Sequence, residues 1–221
     1  AGTCADPDDD ASLVDDDSDR NVWQDAGDLK QTRAYHTATS LSDGTVLVVG
    51  GLDVANRSYR GLVEIFEPKS NGESGGGVWR QAENQLIWQI AAHLAFTLQD
   101  GRVLVTAGHD NSENDGFISG SEIFSADGER WESAGSLNIG RVMAAGVVLD
   151  DGRVLVAGGI GGSINGSINN RVHLSSAEIY NPSDDVWTPT TDMAEKRSYH
   201  TATKLADGRV LVIGGINSEG V

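Results

Sequence analysis

One phrase that recurs four times limits what this chain can fold into. An Asp-Gly pair, a run of apolar, mostly β-branched residues and two small residues follow each other at four places: DGTVLVVGG from Asp43, DGRVLVTAG from Asp100, DGRVLVAGG from Asp151 and DGRVLVIGG from Asp207. Successive copies lie 57, 51 and 56 residues apart. Self-similarity at a nearly constant spacing indicates a repeat architecture, in which each repeat is one small group of secondary-structure elements.

The similarity extends to both sides of the phrase. Upstream of the phrase, two further positions correspond in all four copies. One holds His36, His93, Ala144 and His200, and the other, three residues earlier, holds Arg33, Ile90, Arg141 and Arg197. Downstream of the phrase, the first three copies share a glutamate, at Glu64, Glu122 and Glu178, and then a lone tryptophan, at Trp79, Trp131 and Trp187. We delimit an acidic tail over 1–20, expected to be disordered, and a repeat region over 21–221 with units at approximately 31–80, 88–132, 139–188 and 195–221.

Each unit carries the pattern of four antiparallel strands. HTATSL alternates small and apolar residues, TVLVV is a run of apolar and β-branched residues, EIF is a short third segment, and VW is the fourth. The Asp-Gly pair predicts a two-residue hairpin between the first two strands, because glycine accepts the positive φ of a tight primed turn. The sequence therefore predicts an all-β propeller of four-stranded blades, made of the last strand of one blade, three full blades and half of another.

The units resemble the kelch-repeat family, which includes the central propeller of galactose oxidase. The resemblance rests on Arg33, His36, Asp43, Gly44, Gly50, Gly51, Glu64 and Trp79 in the first unit and on Arg141, Asp151, Gly152, Gly158, Gly159, Glu178, Tyr180 and Trp187 in the third. The second unit departs from it at Ile90 and Ala107, and the third at Ala144. Since propellers of this family usually close with about six or seven blades, the chain is expected to be part of a longer protein.

The recurring positions predict how the blades pack. Three glycine pairs are expected to let neighbouring blades approach closely, namely Gly50 with Gly51, Gly158 with Gly159, and Gly214 with Gly215. The tryptophans are expected to fill the wide outer wedge between blades. The recurring arginines and glutamates are expected to form ion pairs that link blades, and because Ile90 replaces one arginine, Glu122 would find its partner in a neighbouring unit.

The three histidines in register are not predicted to bind a metal. Equivalent positions of successive blades are spread around a ring, so His36, His93 and His200 are expected to bond backbone groups instead. An oxidase of the galactose oxidase type needs two tyrosines, two histidines and a cysteine at its copper, and the only cysteine, Cys4, lies in the acidic tail. The sequence therefore predicts no catalytic residue, no metal site and no cofactor in this chain.

Charge limits the classes of partner. The net charge is −17, and residues 1–20 contribute −7 of it through eight aspartates and one arginine. Such a field repels phosphate groups, which argues against nucleic acid and anionic membranes as partners. No run of consecutive apolar residues has the length of a transmembrane span, and no signal peptide is recognisable.

Variation between units points to the binding surface. The loops between the second and third strands, LDVANRSYRGL, HDNSENDGFIS and IGGSINGSINNRVHLSS, differ in length and are polar, and they lie on the same face as the connections between blades. The residues there with enough reach to hold a partner are Arg57, Tyr59, Arg60, Trp88, Asn114, Phe117, Asn170, Arg171, His173 and Tyr199. His109 is a further candidate outside the histidine register.

We therefore expect non-catalytic recognition of a protein or a glycan through this face. One alternative is a propeller enzyme, either an oxidase or a carbohydrate-active enzyme, with catalytic residues outside this fragment. Another is a structural module of a cell-surface protein. The style of the repeats is similar to that of secreted bacterial proteins, which favours an extracellular or cell-surface location.

Overall fold

The computed structural model describes residues 12–14, 23–69, 76–110, 116–128, 130–162 and 171–218. These ranges consist of β-strands, turns and irregular segments, without a helix, so the predicted all-β class is confirmed. Within them no helix is long and apolar enough to cross a membrane. Cys4, Asn114 and Asn170 lie outside the described residues.

The strands follow the repeat units. The first unit and the residues before it contain β1 (Ser12–Val14), β2 (Trp23–Asp25), β3 (Thr37–Ser40), β4 (Val46–Val49), β5 (Leu52–Asp53), β6 (Ser58–Tyr59), β7 (Val63–Pro68) and β8 (Gly77–Gln81). The second contains β9 (Leu94–Thr97), β10 (Val103–Thr106), β11 (Ser121–Phe124) and β12 (Trp131–Ala134). The third contains β13 (Arg141–Val142), β14 (Ala145–Val148), β15 (Val154–Ala157), β16 (Ile160–Gly161), β17 (Val172–His173), β18 (Ala177–Asn181) and β19 (Val186–Pro189), and the fourth β20 (Thr201–Lys204) and β21 (Val210–Ile213).

Three of the sheets are complete propeller blades. Their strand orders are β3-β4-β7-β8, β9-β10-β11-β12 and β14-β15-β18-β19, all antiparallel, and β20 pairs with β21 as half of a fourth. The first strands of successive blades touch, β3 with β9, β9 with β14 and β14 with β20. The first strands therefore lie around a common axis, and the tryptophan strands lie outside. The described blades do not close into a ring.

The Asp-Gly turns are longer than the sequence predicts. In the first unit the Gly44 N–H donates to the Leu41 carbonyl at 3.1 Å, and the Leu41 N–H donates to the Thr45 carbonyl at 2.9 Å. Gly44 has φ of 86°, whereas the preceding Asp43 is not among the residues with positive φ. A primed two-residue turn of the Asn-Gly kind needs positive φ at both residues. The predicted two-residue hairpin is therefore wrong, and the turn is a three-residue loop that ends in a left-handed glycine.

The core consists of two apolar layers, each between two blades. The layer between the first and second blades contains Leu47, Val49, Val63, Ile65, Ala82, Leu86, Ile90, Val103, Val105 and Phe124. The layer between the second and third contains Leu98, Leu104, Ala107, Ile123, Leu137, Val154, Val156, Tyr180 and Trp187. Because alternate residues of a strand point to opposite faces, Val103 and Val105 enter one layer while Leu104 enters the other.

Trp131 and Trp187 occupy the outer part of these layers, as predicted. Each ring packs against the aromatic residue opposite it in the third strand, with centroid distances of 4.9 to 5.2 Å: Phe66–Trp79, Phe124–Trp131 and Tyr180–Trp187. The Trp187 Nε1–H also donates to the Ser121 hydroxyl of the preceding blade at 3.1 Å. The outermost strand of one blade is thus fixed to its neighbour.

In the first three units the first small residue after the second strand lies at a blade interface, although outside the strand itself. β4 ends at Val49, and the following Gly50 and Gly51 have φ of 63° and 107°. A methyl group on Gly50 would lie 2.5 Å from the Ile90 carbonyl oxygen and 2.8 Å from Cε1 of His93. The close approach is as predicted, but it is made by the segment that leaves the strand.

The second glycine of each pair makes room for its own blade instead. A methyl group on Gly51 would lie 3.0 Å from the Ala34 carbonyl oxygen, and one on Gly159 would lie 2.7 Å from the Val142 carbonyl oxygen. Both carbonyl groups belong to the segment ahead of the first strand of the same unit. The predicted close approach to the neighbouring blade is therefore made by the first glycine of the pair. For the second glycine the prediction is wrong, because this residue faces its own blade.

In the fourth unit the predicted role is wrong for the second glycine of the pair and stays a prediction for the first. A methyl group on Gly215 would lie 2.6 Å from the Ser198 carbonyl oxygen and 2.9 Å from Cβ of His200, and both residues belong to the same unit as Gly215. A methyl group on Gly214 would meet no atom within 4 Å. Gly215 therefore accommodates its own blade, and no described blade packs against Gly214.

The contact at the first glycine of the pair links two departures from the repeat, Ala107 and Ala144. A methyl group on Gly158 would lie 2.6 Å from Cε1 of His200, and a methyl group on Gly50 would meet the ring of His93 in the same way. Where the glycine is replaced by Ala107, the histidine of the following blade is replaced by Ala144, and the two alanines belong to the same apolar layer. An alanine fits at the glycine position where the ring facing it is missing.

Two of the expected arginine–glutamate pairs form. Arg33 Nη2 lies 2.6 Å from Glu64 Oε1, and Arg141 Nη2 lies 2.7 Å from Glu178 Oε1, with the side chains of both pairs excluded from solvent. Each arginine lies ahead of the first strand and each glutamate on the third strand of the same unit. The pairs therefore stabilise single blades, and the prediction that they link blades is wrong.

Among the described residues, Glu122 has no cationic partner. It is 1% exposed, and among the described residues its carboxylate accepts from the Ile87 N–H, at 3.0 Å to Oε2 and 3.2 Å to Oε1, while no basic side chain forms an ion pair with it. The prediction that a neighbouring unit supplies a partner is wrong, because backbone donors take that role. Burial raises the pKa of Glu122, and the N–H groups of Ile87 and Trp88 partly offset this.

Residues Ser12–Val14 differ from the expected disordered tail. They form β1, which pairs antiparallel with β2 so that Val14 lies opposite Trp23. This is the register in which Phe124 lies opposite Trp131. At the backbone level β1 and β2 therefore correspond to the third and fourth strands of a blade.

Candidate functional site

The loops after the second strands form the face that the sequence predicts, which we call the loop face. In each unit the residue after the small pair bridges to the segment ahead of the first strand. The bridged pairs are Ala34–Leu52, Ala91–His109, Val142–Ile160 and Ser198–Ile216. Each loop and the connection that enters its blade therefore lie at the same end of the sheet.

The described parts of these loops pair as hairpins. β5 pairs with β6, β16 pairs with β17, and in the second unit His109 bridges to Phe117. A hairpin places alternate side chains on opposite sides, so one side of each can face the hairpin of the next blade.

Four side chains from three successive hairpins form one continuous row, which we call the aromatic row: Tyr59, His109, Phe117 and Arg171. The Tyr59 hydroxyl lies 2.8 Å from His109 Nδ1, across the boundary between the first and second blades. The His109 ring meets the Phe117 ring edge-on, with centroids 5.7 Å apart. The Arg171 guanidinium carbon lies 5.6 Å from the Phe117 centroid. Loops that differ in sequence thus meet in one surface across three blades.

The electrostatics of the row change from one end to the other. Burial, together with the negative charge of Asp110, raises the pKa of Tyr59, and the positive charge of Arg171 opposes this. Tyr59 is therefore a neutral hydroxyl at neutral pH. The exposed Arg171 supplies the positive end of the row.

Two further arginines lie in the β5–β6 hairpin. Arg60 forms an ion pair with the buried Asp53, which also accepts from the Asn56 side chain at 2.8 Å, so Arg60 holds the hairpin together. Arg57 is exposed in the turn of the hairpin with φ of 50°. Of these two, Arg57 presents its charge to solvent.

The remaining predicted binding residues lie around the row. His173 Nδ1 lies 2.9 Å from the buried Ser198 hydroxyl, which ties the third loop to the fourth unit. Trp88 is half-buried against the apolar layer between the first two blades, and its ring covers Gly120. Trp88 therefore supports the loop face from beneath.

Four left-handed residues, one per unit, lie around part of the axis at the same end, and we call this set the left-handed ring. Two residues before each first strand the chain has positive φ, between 53° and 57°, at Tyr35, Ala92, Met143 and Tyr199. Neighbouring members are joined by backbone hydrogen bonds, from the Ala92 N–H to the Tyr35 carbonyl at 2.9 Å and from the Tyr199 N–H to the Met143 carbonyl at 3.0 Å. Tyr35 and Tyr199 are more than half exposed. Tyr35 is missing from the predicted binding residues, although RAYHTAT and RSYHTAT place both tyrosines at one repeat position.

The histidines in register serve the blade interfaces. His93 is buried, and its Nε2 lies 2.8 Å from the Thr37 hydroxyl of the preceding blade, so the expected backbone partner is wrong for this nitrogen. Burial lowers the pKa of His93 to about 3. Within the described ranges no group of three or more His, Cys, Asp and Glu residues is placed to hold a metal ion.

Known proteins share these repeats. A family model described as the Kelch motif matches residues 142–194, from β13 to just beyond β19. This segment contains one complete blade with its glycine pair, its glutamate and its tryptophan. The resemblance of the repeats to kelch repeats is therefore confirmed.

Curated proteins match parts of the chain. Kelch-like protein 28 of Mus musculus is 34% identical over 98 residues, which cover 44% of this chain and 17% of that protein. Galactose oxidase of Gibberella zeae is 24% identical over 168 residues, covering 72% and 22%. The F-box/kelch-repeat protein SKIP30 of Arabidopsis thaliana is 27% identical over 130 residues, covering 55% and 35%. The chain thus spans about a sixth to about a third of the length of these relatives.

Proposed function

We propose that this chain is a recognition module that binds a protein partner through the loop face. The observation that carries the proposal is the aromatic row, because its contacts join three loops of different sequence into one surface. Kelch repeats in general mediate protein binding, and the relatives include a Kelch-like protein and an F-box/kelch-repeat protein.

The row has the composition of a binding surface. Tyrosine, phenylalanine and arginine are enriched at protein interfaces, because they supply large contact areas together with directed hydrogen bonds. Phe117 and Tyr59 are at least half-buried and held by neighbouring side chains. Side chains that are already ordered lose little conformational entropy when a partner binds.

A display experiment tests the proposal. Peptides selected from a phage-displayed library on the wild-type chain are re-tested on Phe117→Ala and on Arg209→Ala, where Arg209 lies in an Asp-Gly turn at the opposite end of the blades. We expect the Phe117→Ala variant to lose most of the peptide binding and Arg209→Ala to retain it. Equal binding by both variants would place recognition elsewhere.

A glycan array with the same three proteins tests the other ligand class that the sequence leaves open. Binding of glycans without any selected peptide, lost in Phe117→Ala, would replace the protein partner by a glycan while retaining the loop face as the site. Peptide binding with a blank array agrees with the proposal.

A second candidate function is that of a propeller enzyme. The observation in its favour is the match to galactose oxidase, which covers 72% of this chain. Catalytic groups would then be supplied by residues other than those placed together here. Peroxide release from galactose and other primary alcohols by the full-length protein with added copper would support this alternative, and its absence with binding intact would count against it.

A further inference from the structure

We infer that His109 sets the hydrogen-bonding character of the Tyr59 hydroxyl, so that the loop face offers its partner an acceptor while His109 is neutral and a donor once His109 is protonated. The inference deepens the proposed function and rests on it. It names a chemical group through which the aromatic row recognises a partner, and it makes that recognition dependent on pH.

His109 occupies a position at which the other three units have an aliphatic residue. The bridge to the segment ahead of the first strand is made by Leu52, Ile160 and Ile216 in those units and by His109 in the second. This bridge uses backbone groups, since the Ala91 N–H donates to the His109 carbonyl at 3.0 Å and the His109 N–H donates to the Ala91 carbonyl at 2.9 Å. The fold therefore does not require an imidazole at this position, and the contacts of the ring itself account for it.

The imidazole and the Tyr59 hydroxyl form one hydrogen bond across a blade boundary. His109 Nδ1 lies 2.8 Å from the Tyr59 oxygen, and the Phe117 ring meets the imidazole edge-on. Gly116 lies against the far edge of the ring, where a methyl group on this glycine would come within 2.7 Å of both Cε1 and Nε2. The ring is held on several sides, which keeps Nδ1 directed at the hydroxyl.

A hydroxyl group has one proton to donate, and the charge state of His109 decides where that proton points. Tyr59 keeps its proton at neutral pH, because burial and the negative charge of Asp110 raise its pKa. A neutral imidazole without a proton on Nδ1 accepts the hydroxyl proton, and the lone pairs of the Tyr59 oxygen are then left for a partner. A protonated imidazole donates from Nδ1 to the same oxygen, and the hydroxyl proton turns outward.

Two other imidazole–hydroxyl pairs cross blade boundaries, and neither can act in this way. His93 contacts the Thr37 hydroxyl, but burial lowers the pKa of His93 to about 3, so this imidazole stays neutral. His173 contacts the Ser198 hydroxyl, which is 0% exposed and does not meet a partner. Tyr59 is partly exposed, so a change in its hydrogen bond reaches the surface.

The charges around the pair act in opposite directions. Among the described residues, Asp110 raises the pKa of Tyr59 and Arg171 lowers it, so both charges reach the pair. By the same interactions Asp110 favours an imidazolium beside Tyr59 and Arg171 opposes it. Gly116 and Phe117, which pack against the imidazole, carry no charge. Histidine ordinarily titrates at about pH 6.5, so the change from acceptor to donor is expected near the physiological range.

Nitrogen-15 NMR of the full chain with labelled histidine tests the hydrogen bond without any ligand. The signals of His109 are assigned by their loss in His109→Gln. We expect a proton on Nε2 and none on Nδ1 at about pH 7.5, and protons on both nitrogens at about pH 5, below the ordinary histidine pKa. A proton on Nδ1 at the higher pH would overturn the inference, because Tyr59 would then accept a hydrogen bond in both states. An imidazole that does not titrate over this range would overturn it as well.

Fluorescence anisotropy with display-selected peptides tests the consequence for recognition. The peptides are selected on the wild type at about pH 7.5 from a library without ionisable side chains and are synthesised with blocked ends, so that only the protein titrates. We expect their binding to weaken about tenfold at about pH 5, because a peptide group that donates to Tyr59 then faces a second donor.

Two variants separate the hydroxyl from the charge. Tyr59→Phe keeps the titrating imidazole and removes the hydroxyl, so its affinity should be lower and should not change with pH over this range. His36→Gln removes an exposed histidine outside the aromatic row, and it should retain the tenfold change. The same pH dependence in Tyr59→Phe would overturn the inference, because the charge of His109 alone would then account for it. Loss of the pH dependence in His36→Gln would overturn it too.

The outcomes also separate this inference from the proposed function. If the peptides bind, are lost in Phe117→Ala and show no pH dependence, the proposed function stands and the role of His109 is rejected. If no peptide binds at either pH, the proposed function fails, and the NMR titration alone decides whether His109 controls the Tyr59 hydroxyl.

Discussion

At the residue scale the three glutamates of the repeat show how much one neighbour matters. Glu64 and Glu178 lie against buried guanidinium groups, whereas Glu122 has only backbone N–H groups among the described residues. The sequence predicts the two ion pairs because arginine and glutamate recur with the same period. The sequence does not predict the partner of Glu122, because backbone N–H groups occur at nearly every residue and leave no recognisable sequence pattern.

Glutamine replacements should separate the two environments. Glu178→Gln leaves the buried Arg141 without its counter-charge, and we expect a loss of about 3 kcal/mol of unfolding free energy. Glu122→Gln removes a buried carboxylate that has no cationic partner among the described residues, so the loss of unfolding free energy should be clearly smaller. Urea unfolding at neutral pH measures both, and equal losses would contradict the distinction.

The pH dependence of Glu122 follows from the direction of its pKa shift. Because the folded pKa is raised above the unfolded value, the neutral acid favours the folded state, and this contribution is complete below the unfolded pKa. It is lost as pH rises through the raised pKa. The unfolding free energy of Glu122→Gln relative to wild type should therefore increase from about pH 4 to pH 7, where ordinary glutamate titrates at about 4.3. A difference that stays constant over this range would show that Glu122 titrates normally.

At the element scale the sequence predicts the strands and their order, while the contacts between strands and turns need the structure. The Asp-Gly pair is compatible with both two-residue and three-residue hairpins, so the turn type is not decided by composition. The replacements Ala107 and Ala144 look independent in the sequence. They are one change, because the small residue after the second strand of one blade faces the histidine position of the next.

This coupling predicts a rescue. Gly158→Ala should destabilise the chain by about 2 kcal/mol, because the methyl group meets the His200 ring and the Arg197 carbonyl. Adding His200→Ala should recover part of the loss, since the Ala107 and Ala144 combination is tolerated in the preceding interface. A double-mutant cycle by thermal or urea unfolding measures the coupling. Strictly additive losses would show that the ring is not the obstacle.

At the scale of the whole molecule, the apolar core is divided among blade interfaces. The sequence predicts that apolar layers form between blades, because the period of the repeat places similar apolar residues in each blade. The loop face is less accessible to prediction, since Tyr59, His109, Phe117 and Arg171 come from loops without common spacing. Their convergence depends on hairpin geometry, and the left-handed ring is visible only through the backbone dihedral angles.

The position after the first valine of the repeated phrase tests the layered core. Leu104 is fully buried between the second and third blades, whereas Leu211, at the same position of the fourth unit, is 43% exposed. Leu104→Ala should cost about 3 kcal/mol and increase amide exchange in the two blades that share the layer. Leu211→Ala should change stability by less than about 1 kcal/mol. Similar effects from the two variants would contradict a core divided in this way.

The left-handed ring has a consequence for engineering. Its four positions already carry two tyrosines, an alanine and a methionine on nearly the same backbone, with φ within a few degrees of each other. The backbone hydrogen bonds that hold the ring do not use these side chains. A combinatorial library at Tyr35, Ala92, Met143 and Tyr199, without β-branched residues, would vary the chemistry around the axis one blade at a time while leaving each strand and each apolar layer as it is.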